Sequence, residues 1–297
     1  MPLLREEAAK LSNNDLVSGV IEEIIDKEAL FELMSFVKTE GKAYVYNREK
    51  TISESEFIDV YQDVPEGAAK FEEITTKLRI LAGQVDIDNF LAETMDDTSD
   101  QVAIQLAAKA KGLARKFRRT LAIGDSSVNP LEFDGVRKLA TKEISAGVNG
   151  GALTFTMLDE LCDEVRTGIN LIMMRPGTIR AYRSLVRAAG GATPEHLVLK
   201  DFGTVIAHNG VAIIENEFLP DDETQGTNDA TCSIYGVRLD EVNGLHGIWG
   251  GKNVGVSFQD LGTLENKDAN RYRLKWYVGT ALKATHSLVR LKGISNI

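Results

Sequence analysis

The chain has 297 residues, 43% hydrophobic and 26% charged, ordinary values for a globular protein with room for one or two domains around a large core. Its formal net charge of −10 excludes the basic face of a sequence-reading nucleic-acid binder, though not a protein that merely encloses nucleic acid. No run of about 18 apolar residues is present for a membrane span and no signal peptide opens the chain. Cys162 and Cys232 sit in no metal-ligand spacing and read as buried free thiols of a reducing cytoplasm.

The first segment, LREEAAKLSNND, is charged, and the next carries Leu16, Val17, Val20, Ile21, Ile24 and Ile25 on one helical face opposite Glu22, Glu23 and Asp26. That stripe either lies on the chain's own core or, as an arm, docks on a neighbouring copy.

Ala43 to Tyr46 reads as a short strand and Thr75 to Asp86 as a longer one, with Thr76, Leu78, Ile80 and Ala82 alternating. Between them, EKTISESEFIDVYQDVPEGAAK holds acids well in excess of bases together with Ile52, Phe57, Ile58, Val60, Tyr61 and Val64. Hairpins turn in about two to five residues, and an isolated pair of strands is marginal in water, so such an insert cannot bury its own apolar side chains. Exposed apolar surface of this kind marks a contact with another molecule, so the insert reads as an arm completed by another subunit, the alternative being a flap folded back over the chain's own core.

From Asp96 to Arg119, Val102, Leu106, Ala110, Leu113 and Phe117 recur at helical spacing. The segment predicts one long amphipathic helix, a rod of about 33 Å at about 1.5 Å per residue. Thr98 or Ser99 fits its N-cap. Acids at Asp96, Asp97 and Asp100 and bases from Lys109 to Arg119 match the helix dipole at its two ends.

Gly124-Asp125-Ser126 superficially matches the start of a lipase-like serine hydrolase. A basic helix precedes Ser126, however, and none of His196, His208, His246 or His286 has an aspartate three residues before it. The stretch reads as a turn ahead of Pro130. Beyond it, Thr156 with Asp159 resembles a capping box for a helix whose core stripe is Leu158, Leu161, Cys162 and Val165. Ile169 to Met173 is a buried strand, and Pro176 opens a helix that buries Ile179, Tyr182, Leu185 and Val186 until Gly190-Gly191.

The glycine pairs at 150, 190 and 250 lack the P-loop ending and the dinucleotide fingerprint, so no cofactor is implied. Short strands follow at Val211 to Ile214, Ser233 to Leu239 and Val254 to Phe258. PDDETQGTND (220–229) lacks calcium-loop spacing and reads as a solvated loop. Last comes NRYRLKWYVGTALK, where Tyr272, Leu274, Trp276 and Val278 alternate with polar residues in a strand that completes a sheet begun earlier.

This order of segments resembles the major capsid proteins of tailed double-stranded DNA phages, the Hong Kong 97-type fold. GVIEEIIDKEALFELMSF is similar to the arm, GKAYVYNRE and KFEEITTKLRILAGQVDIDNFLAET to the hairpin and the approach to the spine. DQVAIQLAAKAKGLARKFRRTLAIGDSSVNPLEFDGV resembles the spine, MMRPGTIRAYRSLVRAAGG the axial-domain helix, and RYRLKWYVGTALKATHSLVRLKGI the returning strand.

The resemblance implies an α+β fold: an N-terminal arm (1–38), an extended E-loop (39–86), a P-domain with its spine helix (87–145), an A-domain of mixed sheet and helices (146–268) and a return strand to the P-domain (269–297). It implies a non-enzymatic shell subunit that forms hexamers and pentamers, encloses double-stranded DNA without sequence specificity and meets a portal protein. With only residues 1–38 ahead of the E-loop, a separate scaffold protein, or none, is expected; a decoration protein is optional. Contacts between subunits are expected at Ile21, Ile25, Arg48, Phe57, Ile58, Tyr61 and Val64. Lys50 and Lys70 flank the insert, but nothing supplies the partners for the covalent crosslinks of some relatives. The nearest alternative is an encapsulin-type nanocompartment, which shares the fold and encloses enzymes.

Overall fold

A computed structural model describes residues 30, 33–51, 55–61, 63–64, 66–89, 98–190, 193–199, 203–251 and 255–296. The expected N-terminal stripe, Ile21 and Ile25 included, lies outside the described residues. In chain order the first half contains β1 (Phe36–Lys38), β2 (Ala43–Thr51), β3 (Lys70–Lys77), β4 (Arg79–Asp88), α1 (Thr98–Ile123), α2 (Val136–Leu139), β5 (Lys142–Ser145), α3 (Phe155–Glu164), β6 (Leu171–Met174) and α4 (Pro176–Ala188). There follow β7 (Glu195–Leu199), β8 (Gly203–His208), β9 (Val211–Glu215), β10 (Glu223–Gln225), β11 (Asn228–Val237), β12 (Leu245–Gly250), β13 (Ser257–Thr263), β14 (Ala269–Leu282) and β15 (Leu288–Ile294).

The smaller sheet is built on β14. Its full antiparallel ladder with β4 runs from Ala269↔Asp88 to Val278↔Arg79. β13 and β12 pair with residues that β4 also pairs, so they lie end to end along the opposite edge. β1 adds in parallel beyond β12, with Phe36 opposite Gly247. A Cβ on Gly247 would fall 2.2 Å from the Phe36 ring, so only glycine lets that ring lie flat on the strand.

Along β14 the expected face is buried at Leu274, Trp276 and Val278, Tyr272 is only half-buried, and from Val278 to Leu282 every residue is buried, so the alternation stops there. The expected strand from Thr75 to Asp86 divides at Leu78, whose N–H donates to Lys42 O. Residues before the break pair with β2 and residues after it with β14. A period of two reports a strand but not its partner.

α1 has 26 residues and buries Leu106, Ala110, Leu113, Phe117 and Leu121 as the periodicity requires. Phe117 packs on Trp276 with ring centroids 4.9 Å apart, and Phe36 and Phe133 complete the aromatic cluster. The helix outruns its expected end by a turn, and that last turn, Thr120–Ile123, has no base. Dipole complementarity fades within one turn, so the basic residues act elsewhere. Lys116 pairs with Glu132 at 2.6 Å, Arg115 pairs with Glu217 at 3.4 Å, and Arg115 and Arg118 lie over Phe218.

The larger sheet has the order β5-β15-β11-β6-β9-β8-β7, with β10 folded back on β11. All four residues of β6 are buried because both faces of the sheet are covered. Ile172 and Met174 face a core made with α3 and α4, while Leu171 and Met173 belong to the core that α1 shares with the smaller sheet.

β15 joins the larger sheet, parallel to β5 and antiparallel to β11. The segment 269–297 is therefore split between two sheets. α3 is capped by Thr154, which accepts from Met157 N at 3.3 Å, so the expected box at Thr156 and Asp159 is not formed; Thr156 lies inside the helix and Asp159 accepts from Asn209 and faces His208. Pro176 opens α4 as expected.

The stretch 220–229 is largely exposed, as expected, but from Glu223 it is a tight hairpin rather than an irregular loop. Glu223 is buried and paired, and the turn at Gly226 takes φ 61.

Candidate assembly interface

β2 and β3 form a sheet of their own, in register from Ala43↔Lys77 to Glu49↔Phe71 and shifted by an irregularity before Thr51↔Lys70. On β2 the even residues Tyr44, Tyr46 and Arg48 turn toward the body of the protein while Val45, Asn47 and Glu49 are exposed. Tyr46 Oη donates to Leu282 O at 2.6 Å. Arg48 donates from Nε to Lys283 O at 2.7 Å and from Nη2 to Leu282 O at 2.6 Å. Tyr44 meets His246 edge-on and carries the Lys283 ammonium over its face. Burial pushes the Tyr46 phenol up. These contacts tie the root of the hairpin to the last turns of β14.

Farther out the body is gone. Phe71 is 67% exposed, and at the tip Phe57 and Tyr61 reach 108% and 102%. Ile58, Val60 and Val64 are exposed beside them. The tip has local order of its own: Asp59 Oδ1 accepts from Val60 N at 2.8 Å, and Tyr61 holds φ 67, a left-handed conformation uncommon for an aromatic residue.

The expected contact residues thus fall into three groups. Phe57, Ile58, Tyr61 and Val64 stand together at the projecting tip. Arg48 makes its polar contacts within the chain. Ile21 and Ile25 lie outside the described residues. Sequence reasoning missed the root; its signal was the period of two placing Tyr44, Tyr46 and Arg48 on one face.

Catalytic constellations are poor elsewhere. Ser126 borders a cavity of about 370 Å³ beside the hairpin root, whose lining contains Asp134 and Lys138 but no histidine. Its N–H donates to Asp134 Oδ1, and Lys138 pairs with Asp125, so the GDS stretch is a braced turn. His208 is taken up by Asp159 and by Tyr182, whose hydroxyl donates to Ala207 O.

Burial, with Asp159 and Asp163 nearby, pushes the half-buried Cys162 thiol up to about 11. Cys232 is buried against Thr178. Among the described residues no group of three His, Cys, Asp or Glu side chains could hold a metal, and no helix is long and apolar enough to cross a membrane.

A partly buried charged cluster on the larger sheet is structural. Arg290 bridges Glu223 at 2.9 Å and Glu143 at 2.8 Å, Ser233 donates to Glu223 in a short hydrogen bond, and Lys292 reaches Glu143 at 2.7 Å. Arg137 on α2 also approaches Glu223, at 3.5 Å, and the other members sit on strands of the larger sheet, so the cluster clamps β5, β15, β11 and β10 together. Lys292 and Arg290 hold the Glu143 carboxyl below its usual range.

No family model and no curated protein sequence matches the chain. Solved structures do. The SrpI encapsulin of Synechococcus elongatus superposes with a TM-score of 0.68 at 18% identity, over 90% of this chain and 87% of that one. The capsid of a native GTA particle gives 0.67 at 17% identity over 90% of each chain. A chain of Gordonia phage Cozz gives 0.60 at 13% identity, over 90% of this chain and 86% of that one. The fold is the Hong Kong 97-like shell fold.

Proposed function

We propose that this protein is the major capsid protein of a tailed double-stranded DNA phage, with a structural and not a catalytic role. One observation carries the reading: an arm with fully exposed Phe57 and Tyr61 stands on a body whose fold is otherwise found in particle shells. Apolar surface of that kind is covered when copies assemble. Head-to-tail contacts close into rings, and rings of five and six tile a closed shell.

On this reading Phe57, Ile58, Tyr61 and Val64 make contacts between subunits and Arg48 sets the root from which they project. Ile21 and Ile25 contribute from the arm. The contents are double-stranded DNA held without sequence specificity. A portal protein and a separate scaffold complete the assembly, with a decoration protein as an optional addition, and assembly takes place in the host cytoplasm. The acidic balance of the chain favours easy loading and release of a polyanion.

A second reading, an encapsulin-type compartment, is favoured by the likeness to the SrpI encapsulin. Electron microscopy of the purified full-length protein tests both. Hollow icosahedral particles are expected, and a protein that stays monomeric at high concentration overturns both readings. Particles that retain a co-purifying enzyme and no nuclease-protected DNA select the compartment.

A further inference from the structure

We infer that the cavity at the root of the arm is a binding site for a small phosphate-class anion, held between arm and body. The inference stands apart from the shell reading, because every residue it uses belongs to one chain. The cavity measures about 370 Å³, within the usual range of small-ligand sites. β2, β3 and the first residue of β4 wall it on one side. The turn after α1, α2 and the stretch holding Thr280, Leu282 and Thr285 wall it on the other.

Its charge runs against that of the chain. Over the whole sequence 44 acids outnumber 34 bases, yet the lining holds Arg48, Lys77, Arg79 and Lys138 against a single carboxylate, Asp134. That carboxylate is already engaged, accepting from Ser126 N at 2.8 Å. Arg48 donates to the Leu282 and Lys283 carbonyls, which leave its charge uncancelled. Lys77 and Arg79 form no ion pair among the described residues, and Lys138 pairs with Asp125 at 3.2 Å. Like charges gathered around one cavity repel, and a multivalent anion between them removes that cost.

Hydroxyls extend the donor set. Ser126, Thr141 and Thr285 line the cavity, and their hydroxyls bond to no other described residue. An arginine fork grips two phosphate oxygens, lysines attract the charge, and hydroxyls donate to the oxygens left over. Ile74, Phe133 and Leu139 supply an apolar side, so the same chemistry suits an inorganic anion or the phosphate end of an organic ester. The donors come from both walls: Arg48, Lys77 and Arg79 from the arm and its junction, Ser126, Lys138 and Thr285 from the body. A bound anion therefore fastens the arm to the body.

Amide hydrogen exchange on the full-length protein tests the site, with pyrophosphate and phenyl phosphate as probes and sodium chloride holding the ionic strength constant. Saturable protection is expected from Tyr44 to Arg48, from Ile74 to Arg79 and around Ser126 and Lys138. With a probe at about ten times its dissociation constant, opening of those segments should be about tenfold rarer. Tighter pyrophosphate assigns the site to an inorganic anion, and tighter phenyl phosphate to an organic ester. Protection that is absent, that sodium chloride alone reproduces, or that falls only on other segments overturns the site.

Arg79→Gln should weaken binding about tenfold, the loss expected for one charge-assisted hydrogen bond. Arg183→Gln, on the exposed face of α4, should leave it unchanged. Equal binding by Arg79→Gln and the parent overturns the assignment, and if that variant fails to fold, the footprint on the unaltered chain decides alone. A missing footprint leaves the shell reading standing, and a protein that makes no particles leaves the anion site standing.

Discussion

Arg290 and Glu223 face each other at 2.9 Å on neighbouring strands of the larger sheet, with only 15% and 5% of their side chains exposed. Glu223→Ala removes one partner but leaves Arg290 paired with Glu143 at 2.8 Å, so its cost in urea unfolding should be about 1–3 kcal/mol, below the about 3–5 kcal/mol of a wholly stranded buried charge. Ser233→Ala, which removes one hydrogen bond to the same carboxylate, should cost about 1–3 kcal/mol. A Glu223→Ala subunit as stable as the parent would show that the cluster is not a clamp.

Acid should loosen the same cluster. The folded state holds the Glu143 carboxyl below its ordinary value of 4.5, through the hydrogen bond from Lys292 first and the Arg290 charge after it. A depressed carboxylate adds stability that is fully present above the unfolded value and is lost as pH falls through the folded one. The thermal midpoint of the subunit should therefore drop on acidification below about pH 4.5. In Glu143→Gln the midpoint at neutral pH is lower and the acid limb flatter.

Phe117 is fully buried between Phe36, Phe133 and Trp276. Phe117→Ala should cost about 3–5 kcal/mol, the usual loss for an aromatic side chain in a packed core. Phe117→Asp should give no soluble native subunit, because a carboxylate would enter that cluster unpaired. A folded Phe117→Asp protein by circular dichroism would mean that the packed face of α1 is another one.

Removing Lys50 to Ala69 should separate folding from assembly. The described apolar residues there are exposed, so the shortened chain should unfold within a few degrees of the parent in calorimetry. It should fail to make particles of normal size by electron microscopy. Normal particles would refute the arm as the assembling element.

The parts of this fold legible in the sequence are those where one face is wet and the other dry. α1 carries that contrast from Leu106 on and β14 from Leu274 to Val278, so periodicity located both and much of their buried sides. The parts that were hidden depend on partners distant in the chain. Nothing in TTKLRILAGQVD marks Leu78 as the point where the strand exchanges β2 for β14. Nothing in PDDETQGTND distinguishes Glu223, which meets Arg290 67 positions later, from the two exposed aspartates before it. The site divides in the same way. Acidity and aromatic content exposed the tip of the arm, whereas its root was hidden because Arg48 binds carbonyls, which carry no side-chain signature.

β6 is only four residues long, yet its side chains belong alternately to two cores. Slipping it by one position would send Leu171 and Met173 among α3 and α4 and pull Ile172 and Met174 toward α1. Neither half of the molecule can settle around a misaligned β6 without spoiling the other. This short strand is therefore a shared gauge that gives every molecule the same spacing between its two cores, the uniformity that the proposed closed surface of many copies would demand.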